Sequence, residues 1–270
     1  MESHRIASAD GTSLRMVTWG SGGRDVLLVH GLAEHAGRYE HVAAALVAAG
    51  HRVTMVELRG HGQSEGKRGH TASWRRYCED VWAAAATIPG SYAIVAHSMG
   101  GLVTLDALRE LVRQPVIGVV VSNPLLGLGF EPPKIKAMAS GLLSRLVPSL
   151  SLKNELDRSN LSHDPEVIRR YESDPLVFGT ITPRWFVEMR GAMARVHDAA
   201  PRYNTPLLGL IGEGDHLTNP PAGIDFVGRY GGPKTLRRYP GLYHELFNEL
   251  EKAEILAEVT TWLKTLSWDA

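Results

Sequence analysis

The sequence predicts an α/β fold in which a mostly parallel central sheet is flanked by helices and carries an inserted helical cap. Two observations support this prediction. Apolar runs of strand length alternate with segments of helical periodicity through most of the chain. Between about residues 125 and 202 the alternation stops, and prolines separate short helical patches. We therefore expect a core of residues 1–124 and 203–270 and a cap at 125–202, placed over the carboxyl ends of the strands, where open α/β sheets bind ligands.

The individual elements are predicted from apolar periodicity and from the glycines and prolines that interrupt it. Strands are expected at 12–19, 26–29, 52–56, 92–96, 116–121, 206–211 and 235–239. Helices are expected at 39–49, 71–86, 98–112 and 246–266. In the last of these, apolar residues recur at helical spacing, which predicts a closing helix.

Length and composition limit the class of protein. At 270 residues, 44% of them hydrophobic, the chain fits one α/β domain with an insertion and a sizeable core. Lys+Arg and Asp+Glu both number 29 and no long basic run occurs, so nucleic acid is not an expected partner. Cys78 is the only cysteine, which excludes an intramolecular disulfide and fits a reducing compartment.

No targeting or membrane-spanning segment is predicted. The N-terminal stretch MESHRIASADG lacks the apolar core of a signal peptide. The most apolar stretch, 116–130, is interrupted by Ser122, Asn123 and Pro124 and is shorter than the ~20 apolar residues that a helix needs to cross a bilayer. We expect a soluble, cytoplasmic protein.

A candidate nucleophile lies in AHSMG, residues 96–100, which joins a predicted strand to a predicted helix. A sharp strand-to-helix turn projects a serine oxygen out of the sheet and puts the next backbone N–H at a helix N-terminus. Such a turn needs small residues two positions before and after the serine, and Ala96 and Gly100 meet this requirement. The five residues alone are a weak motif, and a helix-capping Ser98 is the alternative interpretation.

A base and an acid for Ser98 are found later in the chain, in the order Ser, acid, His. His244 in GLYHELFNE lies between a predicted strand and the last helix, although most of the 12 histidines are expected to be structural or solvated. Asp215 in LLGLIGEGDHL follows a strand, and a carboxylate there can fix the imidazole tautomer. An ordinary turn aspartate is the alternative for Asp215. Glu213 is a competitor for the acid role, but it lies closer to the strand end, so Asp215 is preferred.

An oxyanion site is predicted from HGLAEH, residues 30–35, which follows a buried strand. The tetrahedral intermediate of acyl transfer needs two backbone donors, and the Met99 N–H is expected to be the first. Gly31 allows close approach of the backbone, so the Leu32 N–H is assigned as the second donor. A simple glycine turn is the alternative interpretation if this loop is considered alone.

No metal or cofactor is expected. The candidate histidines lack the spacing of a helical zinc site and have no cysteines to complete one; they are His30, His35, His61 and His70. The sequence contains neither a GxxxxGK[ST] phosphate loop nor a GxGxxG motif after a strand. EGKRGH, residues 65–70, is charged and is predicted to be a solvated loop.

Several of these stretches together resemble the monoacylglycerol lipase and lysophospholipase group of the α/β-hydrolase family. The similarity lies in HGLAEHAGRYEHVA, LRGHGQSEGKRGH, AHSMGG, LSHDPEVIRRYESDPLV and GLYHELFNE, which extend over nearly the full chain. The resemblance implies a serine hydrolase with a mobile cap over an apolar acyl tunnel. It places the nucleophile at Ser98, the acid at Asp215 and the base at His244. It also implies oxyanion donors at Leu32 and Met99.

Two positions depart from the usual pattern of this group. Ala96 replaces the first glycine of the nucleophile turn, and because a methyl group is the smallest addition, the chemistry is expected to remain intact. Glu57 stands before LRGHG, where an aspartate is more usual.

The expected substrate is a monoacylglycerol or a similar single-chain ester. The predicted cap carries an apolar stripe, which consists of Ile135, Met138, Leu142, Leu143, Leu146 and Val147. A single acyl chain needs a dry groove, and this stripe can supply one, although packing of the cap on the body is the alternative explanation. We also expect part of the stripe, 142–147, to contact a membrane surface peripherally.

Other functions of the same fold stay open at this point. They include a lysophospholipase, a short-chain carboxylesterase and an S33-type aminopeptidase, and the last would need inward-pointing acids such as Glu155, Glu172 or Glu188. Dehalogenases and epoxide hydrolases are disfavoured, because they use a carboxylate at the position of Ser98. A non-catalytic binding protein needs no nucleophile, base, acid or oxyanion loop, so their joint presence favours an enzyme.

Overall fold

The structure, a computed structural model, describes residues 1–110, 115–130, 134–154 and 156–268, with the backbone alone for 134–139. The strands are β1 Glu2–Ala7, β2 Ser13–Trp19, β3 Arg24–Val29, β4 His51–Val56, β5 Tyr92–His97, β6 Val116–Ser122, β7 Leu152–Lys153, β8 Thr180–Ile181, β9 Leu207–Gly212 and β10 Lys234–Tyr239. Eight of them form a central sheet in the order β1-β2-β4-β3-β5-β6-β9-β10. β2 pairs antiparallel with β1 and β4, and the other neighbours are parallel. The predicted mostly parallel sheet is confirmed.

Helices cover both faces of this sheet. They are α1 Glu40–Ala48, α2 Arg75–Ala85, α3 Met99–Leu108, α4 Lys134–Leu146, α5 Pro165–Ser173, α6 Pro183–Ala199, α7 Pro220–Arg229 and α8 Lys252–Leu263. Because successive strand residues point to opposite faces, Leu27 belongs to the core cluster that includes residues of α2, α3, α6 and α7, whereas Leu28 belongs to the cluster that includes residues of α1 and α8. Neither leucine is exposed to solvent, and each such burial contributes about 1.5–3 kcal/mol.

The predicted strands of the sheet all occur within two residues of the expected bounds, but the helices are shorter than expected. α2 begins at Arg75 rather than at 71, because the Thr71 hydroxyl donates to the Ser73 carbonyl at 2.6 Å in a turn before the helix. α3 ends at Leu108, and residues 111–114, which include the predicted end at Val112, lie outside the described residues. The predicted closing helix divides into a 3-10 turn at Leu246–Asn248 and α8.

Two elements of the body were not predicted. β1 is an edge strand whose residues are mostly exposed, so it lacks the apolar alternation that identifies a half-buried strand. α7 begins with two prolines and contains two glycines, residues that weaken a helical pattern in the sequence. Its Asn219 N-cap accepts a hydrogen bond from the Ala222 N–H at 2.9 Å, which starts the helix in spite of that composition.

The segment 125–202 connects β6 to β9 and holds α4, the short β7–β8 ribbon, α5 and α6. α6 packs its apolar face, including Trp185 and Met189, into the body core beside α3. In the described part of the chain, no helix combines the length and the apolar composition needed to cross a membrane.

The prediction that residues 65–70 form a solvated loop is only partly right. Residues 65–67 are exposed, but Gly69 is buried against β8, and its carbonyl accepts from the Thr182 N–H at 2.9 Å. His70 Nδ1 lies 2.9 Å from the Thr182 hydroxyl, and the Lys67 ammonium donates to the Ser149 carbonyl at 2.6 Å. The loop therefore holds the segment 125–202 to the body, a long-range contact that no local pattern indicates.

Candidate active site

Ser98 occupies a strained turn between β5 and α3. Its φ of 50° and ψ of −118° lie in a region that side-chain-bearing residues rarely adopt, at a cost of roughly 1–3 kcal/mol. Backbone hydrogen bonds hold the turn: the Ser98 N–H donates to Ser122 at 3.0 Å, and the Ser98 carbonyl accepts from Leu125 at 2.9 Å. Ser98 is the N-cap residue of α3 but makes no side-chain cap bond, so the helix-capping interpretation is wrong.

The small residues around Ser98 are required by close backbone contacts. Ala96 is buried in β5, and a Cβ on Gly100 would lie 2.4 Å from the carbonyl oxygens of Val29 and His30. The alanine in place of the usual first glycine therefore fits, whereas Gly100 sits against backbone that cannot move aside cheaply.

We expect Gly100→Ala to destabilise the protein by about 1–3 kcal/mol, the usual cost of overpacking. The clash with two backbone carbonyls should outweigh the ~1 kcal/mol by which alanine favours a helix over glycine. Urea unfolding measures the difference. Gly228→Ala is the matched control, because Gly228 is an exposed α7 residue with open space around its Cβ position. An equal or greater stability of Gly100→Ala would contradict this account.

The three predicted side chains of Ser98, His244 and Asp215 form one hydrogen-bonded chain. His244 Nε2 lies 2.9 Å from Ser98 Oγ, and His244 Nδ1 lies 2.7 Å from Asp215 Oδ2. The competitor Glu213 pairs instead with Arg238 on the exposed side of β10. The structure therefore brings Asp215, and not Glu213, to the imidazole.

Asp215 is held as a charged acceptor by its surroundings. Its Oδ1 accepts from the N–H groups of Leu217 at 2.7 Å and Thr218 at 3.0 Å, and its Oδ2 accepts from the Thr218 hydroxyl at 2.5 Å. Burial raises the pKa of Asp215, but the His244 charge and the hydrogen bonds outweigh it and lower this pKa to about 2. For His244, burial alone would lower the pKa, because it disfavours the charged imidazolium. The Asp215 carboxylate outweighs this effect and raises the pKa of His244 above the ordinary histidine value.

The predicted oxyanion donors lie on two different elements: Leu32 is in the loop after β3, and Met99 is the first residue of α3, directly after Ser98. The backbone N–H groups of Leu32 and Met99 have no hydrogen-bond partner among the residues that the structure describes. The loop backbone can approach Ser98 closely because residue 31 is a glycine: a Cβ there would lie 3.2 Å from Ser98 Cβ and 2.7 Å from Glu34 Oε2. Two unsatisfied donors next to a serine oxygen are suited to binding a developing oxyanion.

Asn123 is a site residue that the sequence reasoning missed. Its φ is +38°, and its side-chain amide donates to the carbonyls of Tyr243 at 3.0 Å and His244 at 2.8 Å. Its Oδ1 accepts from the Gly212 N–H at 2.8 Å. Asn123 thus ties the end of β6 to the end of β9 and to the His244 loop. Its position directly after a strand was the only sequence signal.

His97 packs beside the candidate base. The two rings, His97 and His244, have centroids 4.7 Å apart, and His97 Nδ1 lies 3.1 Å from the Ser122 carbonyl. Burial and the neighbouring His244 lower the pKa of His97 to about 4, so it is neutral at pH 7. A neutral His97 leaves His244 as the imidazole that can exchange a proton with Ser98.

The departure at Glu57 has a structural explanation. The side chain is completely buried at the end of β4, and Oε1 accepts from the Arg15 guanidinium at 2.9 Å and the Ala36 N–H at 3.1 Å. Oε2 accepts from the Gln63 N–H at 2.7 Å. Glu57 therefore joins the loop after β3 to the loop after β4 and has no contact with Ser98.

The histidines considered as metal ligands have other partners. His30 Nε2 accepts from the Leu58 N–H at 3.0 Å, and His35 Nε2 lies 2.8 Å from Asp174. His61 Nδ1 lies 3.0 Å from the Arg59 carbonyl. Over the described ranges of the chain, no group of three or more His, Cys, Asp or Glu side chains is arranged to hold a metal ion.

A pocket opens beside Ser98. Most of its lining comes from the segment 125–202, which contributes the polar Asn154 and the apolar residues Leu125, Leu128, Phe130, Leu156, Leu161, Tyr171, Ile181, Trp185, Phe186 and Met189. The body contributes Gly31, Leu32, Glu34, His97, Ser98, Leu217, Thr218, His244 and Glu245. The reactive groups therefore lie at the polar end of a largely apolar space.

Comparison with known proteins identifies the family of the chain. A family model described as serine aminopeptidase, S33 matches residues 23–251. A monoacylglycerol lipase of Mycolicibacterium smegmatis is 35% identical over 245 residues, which cover 88% of this chain and 87% of that protein. The crystal structure of Paleococcus ferrophilus monoacylglycerol lipase has a TM-score of 0.87 and 32% identity, and the match covers 93% of this chain and 98% of that one.

One further relative is much longer than this chain. An uncharacterized abhydrolase domain-containing protein of Dictyostelium discoideum is 32% identical over 267 residues, which are 96% of this chain but 28% of that protein. The family model and the match to the Mycolicibacterium smegmatis lipase both cover well over two thirds of this sequence. The chain therefore belongs to the serine aminopeptidase S33 family of α/β-hydrolases, together with monoacylglycerol lipases.

Proposed function

We propose that this carboxylic ester hydrolase cleaves single-chain lipid esters, with a monoacylglycerol as the preferred substrate and glycerol and a fatty acid as products. One observation carries the proposal: the Ser98–His244–Asp215 chain lies at the polar end of an apolar pocket. The similarity to proteins named as monoacylglycerol lipases also supports the proposal.

In the proposed mechanism, Ser98 Oγ attacks the ester carbonyl while His244 Nε2 accepts its proton. The Asp215 carboxylate holds His244 Nδ1–H and stabilises the imidazolium. The N–H groups of Leu32 and Met99 receive the tetrahedral oxyanion, each donor contributing ~3 kcal/mol to transition-state binding. His244 then protonates the departing glycerol oxygen as the carbon–oxygen bond breaks. Water, deprotonated by His244, attacks the resulting acyl-enzyme and releases the fatty acid and free Ser98.

The pocket favours an acyl chain over a peptide. An aminopeptidase needs carboxylates aimed at a free amine, but Glu172 is largely exposed near Arg158, and Glu188 accepts the Trp74 N–H at 3.0 Å. Neither lines the pocket, and Glu155 lies outside the described residues. Glu34 and Glu245 do line it, yet both bind Arg38.

A substrate panel tests the proposal. We would measure kcat/KM for a medium-chain monoacylglycerol, the lysophosphatidylcholine of the same chain length, a butyrate ester and an amino-acid anilide. The proposal expects the monoacylglycerol to be hydrolysed best. Preference for the lysophospholipid or the butyrate would assign the alternative lysophospholipase or short-chain carboxylesterase function, and preference for the anilide would assign a peptidase. No turnover of any of them by folded protein would favour a non-catalytic binding protein.

We further propose that residues 125–202 act as a cap that contacts a lipid surface. Its outer side exposes apolar side chains, with 61% of Leu142, 70% of Leu146 and 41% of Val147 accessible. Leu150 and Leu152, with exposed fractions of 47% and 43%, extend this patch. Ile135 and Met138, which belong to the predicted stripe, are among the residues whose side chains the structure does not describe. Contiguous exposed apolar residues are typical of interaction surfaces.

The double substitution Leu142→Ser, Leu146→Ser is expected to reduce the partition coefficient onto phosphatidylcholine–phosphatidylglycerol vesicles, measured by co-sedimentation, roughly 100-fold, because burial of each leucine in the lipid contributes ~1.5 kcal/mol or more. Activity on a monomeric soluble ester should be unchanged. Leu250→Ser is the control, since Leu250 is 63% exposed but follows the Leu246–Asn248 turn, outside the cap. If the wild-type protein does not bind vesicles, or if the double variant binds equally well, the membrane proposal fails.

A further inference from the structure

A buried ion-pair chain connects the loop of the proposed oxyanion donor to the loop of His244. Its members are Glu34, Arg38 and Glu245, whose side chains are 4%, 8% and 3% exposed. Glu34 and Arg38 belong to the HGLAEHAGRY stretch, and Glu245 directly follows His244. The proposed mechanism gives none of these three residues a role.

On the oxyanion side, Glu34 fixes the backbone. Its Oε2 accepts from the Gly31 N–H at 2.7 Å and from the Tyr39 hydroxyl at 2.7 Å. Its Oε1 accepts from Arg38 Nε at 3.2 Å. The peptide between His30 and Gly31 therefore cannot shift without breaking a buried, charge-assisted hydrogen bond, and the next peptide along the chain carries the Leu32 N–H.

On the other side, Arg38 holds the base loop. Arg38 Nη2 donates to both carboxylate oxygens of Glu245, at 2.7 and 2.6 Å. The Glu245 N–H donates to the Leu161 carbonyl at 2.8 Å, so this residue is also held through its backbone. The Arg38 guanidinium also lies over the Tyr171 ring, 4.8 Å from its centroid, a distance at which a cation–π attraction operates.

Stability alone does not account for this arrangement. Buried ion pairs lose so much solvation that apolar residues of similar volume are often equally or more stabilising, and their value lies in fixing one geometry. Here the three charges join the Leu32 loop to the His244 loop. In the proposed reaction both loops must be placed around the same carbonyl carbon of the substrate.

We propose that Arg38 is a positioning residue that, through Glu34 and Glu245, fixes the Leu32 donor loop and the His244 loop at one separation. The inference rests on the proposed ester hydrolysis. Because a misplacement of about 1 Å costs roughly 100-fold in rate, loosening this link should lower kcat on a soluble chromogenic ester roughly 10- to 100-fold and leave KM nearly unchanged.

Two variants test the link in complementary ways. Arg38→Lys keeps the positive charge, but a lysine ammonium cannot reproduce the fork that reaches both carboxylates. Glu245→Gln keeps the shape and one acceptor and removes one buried negative charge, so it should fold even if Arg38→Lys does not. Arg52→Lys is the control: Arg52 also pairs with a carboxylate, Asp25, but at the amino ends of β3 and β4.

The rate is expressed per active site, counted by stoichiometric reaction with a fluorophosphonate, so that unfolded protein does not contribute. A lower kcat per site in both variants, with KM near the wild-type value and Arg52→Lys unaffected, is the expected result. A higher KM alone would mean that Glu245 contacts substrate, since it lines the pocket. That result, or a loss confined to the number of titratable sites, would overturn the inference. Failure of the hydrolase proposal itself would instead appear as no turnover by the folded wild-type protein, and a wrongly assigned nucleophile would appear as activity that survives Ser98→Ala.

Discussion

Ser98→Ala is expected to lower kcat on a soluble chromogenic ester by roughly 10⁴- to 10⁶-fold, the range found when a catalytic-triad nucleophile is removed from a serine hydrolase. The reason is that no acyl-enzyme can form without the oxygen that lies 2.9 Å from His244 Nε2. Activity measured under saturating substrate checks the prediction.

Stability and specificity controls accompany that measurement. Ser98→Ala removes one hydroxyl from a strained turn, so its unfolding midpoint should stay near that of the wild type or rise. Ser173→Ala, at the exposed end of α5, should retain full activity. Retention of more than a tenth of the wild-type rate by Ser98→Ala would show that Ser98 is not the nucleophile.

Asp215→Asn is expected to lower kcat by roughly 10⁴-fold, because an amide at this position favours the wrong imidazole tautomer and removes the charge that stabilises the imidazolium. Glu213→Gln is the matched control: it removes a carboxylate two residues away that pairs with Arg238 at the surface. Comparable losses in both variants, or a greater loss in Glu213→Gln, would mean that the acid has been assigned wrongly.

The same pair of variants has a predicted pH dependence. His244 must be neutral to accept the Ser98 proton, and Asp215 raises the pKa of His244 above the ordinary value. In the wild type, kcat/KM should therefore rise with pH through an acid limb centred above pH ~6.5. Without the Asp215 charge the His244 pKa falls, so the acid limb of the residual activity should move to lower pH. Glu213→Gln should leave the limb in place.

Local patterns were sufficient to predict the parallel sheet and the three side chains of the hydrogen-bonded chain, which are Ser98, His244 and Asp215. β3, β5 and β9 are apolar runs that end in short turns, and neighbouring parallel strands bring their carboxyl ends to one edge. Asp215 follows the end of β9, and His244 follows the end of β10, the polar strand that pairs parallel with β9, so their approach to Ser98 follows from topology.

The remaining parts of the site depend on contacts between distant residues. The Asn123 amide reaches His244, and Arg38 reaches Glu245 across 207 positions, and neither contact has a local signature in the sequence. Gly69, in a stretch expected to be solvated, is buried by β8, which itself has only two residues. The first two contacts join loops of the body, and the third joins the body to the segment 125–202. Composition and periodicity carry no information on any of these contacts.

The most direct test of the central claim is labelling with a long-chain alkyl fluorophosphonate, followed by digestion and mass spectrometry. The account predicts one adduct, on Ser98, that forms more slowly as monoacylglycerol is added, because substrate and probe compete for the same oxygen and the same apolar pocket. An adduct on another residue, or labelling of Ser98 at a rate that saturating monoacylglycerol does not change, would contradict it.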